Sequence, residues 1–350
     1  MKIIFTLFIF CIVLFLYLHI QFHLKQSNDL EMYELDNPSK EKLEEICDLR
    51  QPVLFEFDSQ QIIETTNKNY LQNNYSSFDM KIRSHSEIQN KDEELYVPLP
   101  LHTTIKLLEE DKKSFYFTEN NMEFIQETGI LKNIQYNDGF IRPYMVSNYF
   151  YDILMGSQDT WTPLKYEINY RNYFLMTEGT AQIKLIPPKS NKYLHPKYDY
   201  ENFEWSSPFN VWNIQSDFRQ DFDKIKSLEF TLVAGKTLYI PAYWFYSIKF
   251  NQDSVITCFK YRTYMNNLAI SPYFFMYALQ LQNIKRETSK KIPVHQLNQN
   301  REKKPEPKEE VEEVEINQLQ KEKEKEKEEE SSTKIEDLVQ IQVPTFEVKT

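Results

Sequence analysis

The sequence predicts a mainly β domain, an antiparallel sandwich or barrel with flanking helices, between an N-terminal transmembrane helix and a disordered tail. Three observations carry this prediction: an apolar run at 3–20, short aromatic segments between turns at 139–264, and a Lys/Glu-rich segment at 301–330. The chain has 350 residues, of which 41% are hydrophobic, and this is ample for one large core. Its formal net charge of -11 argues against nucleic-acid binding, which requires a basic face.

The N-terminal run IIFTLFIFCIVLFLYLHI, residues 3–20, has the length and composition of a membrane span. As a helix it would be about 27 Å long, close to the thickness of a bilayer core of about 30 Å. No small-residue cleavage triplet follows, so residues 1–25 are predicted to be an uncleaved single-pass anchor rather than a signal peptide. Lys2 and Lys25 flank the run, one on each side, which leaves open the side of the membrane that the domain occupies.

Between the anchor and the aromatic region, the pattern is mixed. Residues 26–50 are predicted to form a polar stalk that leads into a short helix, because EKLEEICDL carries apolar side chains at helical spacing. The segment QPVLFEF, residues 51–57, predicts a buried strand that begins the domain. Helices are predicted near 104–112 and over 121–129, and the second one would end at Gly129.

The region 139–264 consists of short aromatic strands separated by turns. Four of the five glycines lie in these turns, at positions 139, 156, 179 and 235. YRNYFLMT-EG-TAQIKLIPP predicts a β-hairpin, and KTLYI-PAY-WFYSIKF predicts two strands around a proline corner. A closing helix is predicted at 271–285, and KYRTYMNN, residues 260–267, is a candidate basic rim.

The order of short motifs in this region resembles the JmjC and cupin-like hydroxylase family. The matching blocks are TPLKYE (162–167), RNYF (171–174), EG (178–179), LIPP (185–188), YLHP (193–196) and GKTLYIPAYWFY (235–246). The resemblance implies a cupin-like double-stranded β-helix, or jelly-roll barrel, within a domain at 51–286 that is matched best over 139–264.

The resemblance also locates the positions where an active member would hold Fe(II). Such enzymes use two His and one carboxylate and leave open positions for 2-oxoglutarate and oxygen. The matching positions here are Lys165, Glu167 and Tyr246, and the position of a basic residue that grips 2-oxoglutarate in one branch is Ala181. A lysine has an ordinary pKa of about 10.4 and must lose its proton to bind a metal. The sequence therefore predicts a degenerate site with no metal, no cofactor and no catalytic residue.

The three replacements suggest an ion pair in place of the metal. Residues 165 and 167 point to the same face of a strand, so both side chains should enter the barrel. One hypothesis pairs the Lys165 ammonium with Glu167 and with the Tyr246 hydroxyl, because a buried charge needs such partners. The alternative hypothesis leaves all three exposed to water in a shallow cleft. Further candidates for a ligand pocket are Thr162, Tyr173, Ala181 and Trp244.

The C-terminal segment 301–330 holds 8 Lys/Arg and 13 Glu, so residues 287–350 are predicted to be a disordered tail that could recruit protein partners. The favoured interpretation of the chain is a membrane-anchored, inactive pseudo-hydroxylase that acts in binding or scaffolding. Two alternatives stay open. One is an active Fe(II)/2-oxoglutarate-dependent hydroxylase with unusual ligands, and the other is a structural membrane protein that recruits partners through its tail.

Overall fold

The computed structural model describes residues 1–84, 96–201 and 203–283, so the predicted tail at 287–350 lies outside the described residues. The helices are α1 (Lys2–Leu24), α2 (Lys40–Cys47), α3 (Gln60–Thr66), α4 (Lys68–Tyr75), α5 (Leu101–Glu110), α6 (Met122–Glu127), α7 (Ile130–Asn137), α8 (Asn191–Leu194), α9 (Arg219–Phe222), α10 (Tyr264–Ala269) and α11 (Ser271–Asn283). The domain therefore mixes helices with strands, where mainly β content was predicted.

The strands are β1 (Tyr33–Leu35), β2 (Val53–Phe55), β3 (Asp79–Ser84), β4 (Val97–Pro100), β5 (Tyr116–Thr118), β6 (Val146–Met155), β7 (Lys165–Tyr166), β8 (Arg171–Glu178), β9 (Thr180–Ile186), β10 (Lys197–Asp199), β11 (Glu204–Ser206), β12 (Leu228–Val233), β13 (Thr237–Tyr239), β14 (Phe245–Phe250) and β15 (Val255–Thr263). A first sheet has the order β1-β2-β13-β8-β15-β6, and a second has the order β10-β11-β7-β14-β9-β12. A small third sheet joins β4, β3 and β5.

The predicted hairpin across Gly179 is wrong. β8 pairs with β13 and β15 in the first sheet, whereas β9 pairs with β12 and β14 in the second. The turn therefore carries the chain from one sheet to the other. β8 is buried along nearly its whole length, as expected for a strand that is covered on both faces. Gly179 has φ +71, and an added Cβ would lie 2.8 Å from the Asp253 carbonyl oxygen.

Two apolar layers hold the sheets in place. Between the sheets, buried side chains of the first sheet pack with buried side chains of the second, among them Phe174, Leu238, Leu185 and Ile248. On the other face of the first sheet, strand residues join a core with side chains of α2–α7, and this helical layer accounts for the mixed content. Burial of this extent is the main stabilising term for the domain.

Helix α1 has 23 residues and is long and apolar enough to cross a membrane, although a signal sequence passes the same test. Most of its side chains are exposed, but its C-terminal end contacts the domain. His23 is buried, with its ring centroid 4.8 Å from that of Tyr170, and Arg50 donates a hydrogen bond of 3.3 Å to the Phe22 carbonyl. Helix α1 also contacts α10.

The segment after α1, which is part of the predicted stalk at 26–50, is attached to the domain by hydrogen bonds. The Asn28 side chain accepts a hydrogen bond from the Lys189 backbone N–H at 2.7 Å, and Asp29 accepts one from the Gln51 side chain at 3.2 Å. Strand β1 then pairs in parallel with β2. The chain is therefore attached to the domain before the short helix α2 begins.

Candidate functional site

A polar cleft of about 380 Å³ opens at one end of the two large sheets. Strand β7 and the residues after it supply one wall, and β15 of the other sheet supplies the facing wall. The residues that line the polar cleft include Lys165, Glu167, Asn169, Phe203, Lys260 and Arg262. Two of the three predicted metal positions thus border it, while Tyr246 lies directly behind them as the register partner of Lys165.

Glu167 is bound by Lys260, and not by Lys165 as predicted. The Lys260 ammonium lies 2.7 Å from a Glu167 carboxylate oxygen, and the Tyr246 hydroxyl donates to the same oxygen at 3.1 Å. The Asn169 amide donates to the other oxygen at 3.3 Å. Lys165 is the partner expected from the shared strand face of residues 165 and 167, but the facing strand β15 brings Lys260 into the same space.

The charge of Glu167 is stabilised by this arrangement. Burial alone would raise the pKa of Glu167, but the charges of Lys260 and Lys165 outweigh it and hold the pKa below its ordinary value. Burial would likewise lower the pKa of Lys260, and Glu167 and Asp152 raise it instead. Both groups are therefore ionised at neutral pH, and the Glu167 side chain is only 14% exposed.

Lys165 belongs to a second set of ion pairs, which adjoins the first. Its ammonium donates to Glu119, whose other carboxylate oxygen lies 3.1 Å from the Arg83 guanidinium. Arg83 also makes a two-pronged contact with Glu204, with distances of 2.9 and 3.0 Å. Burial raises the pKa of Glu119, but Lys165 and Arg83 lower it more strongly, to about 2. Glu119, Arg83 and Glu204 belong to no recognised motif block, and the sequence analysis missed them.

Tyr246 acts as a neutral donor in this site. The residue is buried, and burial followed by the charge of Glu167 raises the pKa of its hydroxyl well above the ordinary value. Because Lys165 and Tyr246 are also buried and Glu167 nearly so, the hypothesis of a shallow, water-exposed site is wrong.

The donor set at the three positions does not fit Fe(II). The Lys165 ammonium has no lone pair to offer, and the Glu167 oxygens already accept hydrogen bonds from Lys260, Tyr246 and Asn169. Over the part of the chain that the structure describes, no group of three His, Cys, Asp or Glu side chains could hold a metal ion. One His-x-Glu pair, His85 with Glu87, escaped the sequence analysis and lies outside the described residues.

The four predicted pocket residues do not line the polar cleft. Thr162 is buried, and its side chain accepts a hydrogen bond of 3.0 Å from the Ile248 backbone N–H. Ala181 and Trp244 lie in or against the apolar layer between the sheets. Tyr173 packs on the opposite face of the first sheet, with its hydroxyl 4.0 Å from the Cys47 sulfur. These residues support the strands that carry the cleft and do not contact its space.

Asparagines connect the polar cleft to the sheets. The Asn169 side-chain amide donates to the Asn172 side chain at 3.1 Å, and the Asn169 side-chain oxygen Oδ1 accepts from Arg262 Nε at 2.6 Å. Asp152 is buried within electrostatic reach of Lys260, and its carboxylate accepts hydrogen bonds from the backbone N–H groups of Asn120 and Asn121. Burial raises the pKa of Asp152 despite these bonds.

Comparison with known proteins adds one finding. A family profile described as a cupin-like domain matches residues 20–279 of the chain. No curated protein matches the chain significantly. The matched range begins within α1 and ends within α11, so it includes every strand of both large sheets.

Proposed function

The chain belongs to the cupin-like domain family, and on that premise we propose that it is a membrane-anchored, catalytically inactive member that acts in binding or scaffolding. The proposal includes a double-stranded β-helix as the core of the domain. The strand orders β13-β8-β15-β6 and β7-β14-β9-β12 support it, because the chain crosses between the two sheets again and again.

The observation that carries inactivity is the contact of 2.7 Å between Lys260 and Glu167. Glu167 is the one carboxylate at the three positions where the family's enzymes hold iron, and its charge is already balanced by an ammonium group. A metal ion at this place would have to displace two lysines that are both paired with buried carboxylates. Displacing either lysine from its carboxylate would leave a buried ammonium without a partner, which is costly, so the ion pairs oppose metal binding.

The anchor rests on α1. Its 23 residues correspond to about 34 Å of helix, enough to cross a bilayer core, and the apolar side chains along it are exposed to the surroundings. An exposed apolar surface of this size favours a lipid environment over water.

The proposal is tested by metal binding to the full chain, purified in a non-ionic detergent. Iron content is measured after anaerobic reconstitution with Fe(II), and thermal unfolding is followed with and without Fe(II) and 2-oxoglutarate. A ligand that binds the native state raises the melting temperature. We expect far less than one iron per chain and no shift, beside an active family member carried through as a positive control.

One iron per chain together with a shift would overturn the proposal. The variant His85→Ala would then show whether the pair outside the described residues supplies the iron ligands. The alternative role of the tail is tested separately. Deletion of residues 287–350 should leave partner recovery intact if the domain is the binding part, and should abolish it if the tail recruits the partners.

A further inference from the structure

Arg262 differs from the other cations at the polar cleft. The other cations of the two ion-pair sets each lie within 3.1 Å of at least one carboxylate oxygen: Lys165, Lys260 and Arg83. The Arg262 Nε–H donates to the Asn169 side-chain oxygen Oδ1, but its two terminal nitrogens form no hydrogen bond or ion pair with any described residue. A guanidinium presents five donors in a fixed fork, and here most of them are unused.

The position of Arg262 directs it toward the cleft. It lies two residues after Lys260 and four after Cys258 on β15, and Cys258 belongs to the apolar layer between the sheets. Alternate residues of a strand share a face, so Arg262 is on the inner face too. The register of β15 shifts between Arg262 and Thr263, and bulges of this kind often re-aim a side chain beside a binding site.

Aromatic rings surround the guanidinium. Its central carbon lies 5.1 Å from the ring centroid of Phe150, 5.6 Å from that of Phe203 and 5.8 Å from that of Phe274. Burial lowers the pKa of Arg262, and the charge of Glu167, which forms no ion pair with it, offsets this only in part; carboxylates in direct contact raise the pKa values of Lys260 and Arg83 instead. The rings stabilise the charge only in part, because a cation–π contact is weaker than a paired carboxylate.

We propose that the polar cleft binds a small organic carboxylate with an apolar or aromatic body, which Arg262 holds through its terminal nitrogens. This inference rests on the proposed binding function and names its ligand class. A planar carboxylate matches the guanidinium fork in a two-pronged contact. The rings of Phe150 and Phe203, which line the cleft, offer an apolar wall for the rest of the molecule. The volume of about 380 Å³ suits a ligand of this size.

Binding is measured on the full chain in a non-ionic detergent by fluorine NMR, in a buffer free of carboxylates. The probes are 4-fluorobenzoate, its neutral counterpart 4-fluorobenzamide, and inorganic phosphate as a competitor. We expect 4-fluorobenzoate alone to bind in the protein sample, and empty detergent micelles to show no binding. The variant Arg262→Gln should weaken the affinity by about tenfold or more, because hydrogen bonds to a charged group are lost.

Two further variants sharpen the result. Arg262→Lys keeps the charge but loses the fork, so its affinity should lie between those of the parent and Arg262→Gln. Lys132→Gln removes an exposed charge on α7, away from the cleft, and should leave the affinity unchanged. If Arg262→Gln fails to fold, the comparison of the parent with Arg262→Lys still decides.

Several outcomes would overturn the inference: no binding of 4-fluorobenzoate, equal binding of the neutral amide, displacement by phosphate at lower concentration than benzoate, or an unchanged affinity in Arg262→Gln. Iron content measured on the same sample separates this failure from a failure of the proposed function. If neither iron nor 4-fluorobenzoate binds, only the proposed ligand class is refuted. If the chain binds stoichiometric iron, the proposal of an inactive site is refuted.

Discussion

The pairing of Lys260 with Glu167 predicts a specific pattern of stability losses. Lys260→Met removes the ammonium group 2.7 Å from Glu167 and leaves the carboxylate with two neutral donors, Tyr246 and Asn169. Loss of one partner from a buried pair costs about 3–5 kcal/mol. The Glu167 and Lys260 side chains keep 14% and 16% exposure, which places the expected loss near the lower end, at about 3 kcal/mol.

The loss should be visible in thermal unfolding of the full chain at pH 7. A domain of this size loses about 2–4 °C of melting temperature per kcal/mol, so Lys260→Met should melt about 6–12 °C lower. The double variant Lys260→Met/Glu167→Gln should recover much of the loss, because the uncompensated charge is gone. Neighbouring residues in one network are coupled by about 0.5–3 kcal/mol, and we expect a value in the upper half of this range.

The matched control replaces Lys165 instead of Lys260. In Lys165→Met/Glu167→Gln the coupling should be smaller, because Lys165 donates to Glu119 and not to Glu167. Lys165→Met should instead be rescued by Glu119→Gln. A large coupling between Lys165 and Glu167, together with additive losses for Lys260 and Glu167, would refute the pairing that the structure shows.

Three further predictions concern pH, backbone and membrane. Because the pKa of Glu119 is held at about 2 against an ordinary 4.5, its stabilisation is present above about pH 4.5 and is lost as the pH falls toward 2; Glu119→Gln should flatten this part of the stability profile, and an unchanged profile would contradict it. Gly179→Ala, at φ +71 against a backbone carbonyl, should cost at least about 1–3 kcal/mol in chemical denaturation, whereas Gly139→Ala, where a Cβ meets no atom within 4 Å, should change stability by less than about 1 kcal/mol. The full chain should resist alkaline extraction from membranes, and deletion of residues 1–24 should release it; release of the full chain would argue against the anchor.

The sequence predicted the strand region, and pointed to the three candidate site positions, because both rest on local patterns. The motif blocks identified Lys165, Glu167 and Tyr246, and the profile match over 20–279 confirms the family to which those blocks pointed. The partners of these side chains could not be found in the same way. Glu119 follows β5 and Arg83 lies on β3, in a region that carries no motif and reaches the cleft only through tertiary packing.

Strand pairing was also beyond local patterns. The EG turn at 178–179 has the residues of a hairpin, but a turn between two sheets needs the same positive φ as a turn within one sheet. The burial of β8 on both faces distinguishes a turn between two sheets from a turn within one sheet. That burial depends on which other parts of the chain pack against β8. For the same reason, KYRTYMNN could be recognised as a basic segment without showing that Lys260 is paired and Arg262 is not.

The attachment of α1 to the domain has a mechanical consequence. Arg50 donates a hydrogen bond to the last turn of the helix, and Gln51 and Lys189 donate to Asp29 and Asn28 shortly after it, so the helix is joined to the cupin-like domain without a flexible linker. With α1 in a bilayer, the domain would be held at a fixed distance from the membrane surface and in a fixed orientation, unlike a domain on a flexible linker. The cleft would then encounter only molecules at that distance from the membrane surface, and lateral diffusion of the protein in the membrane would bring it to them.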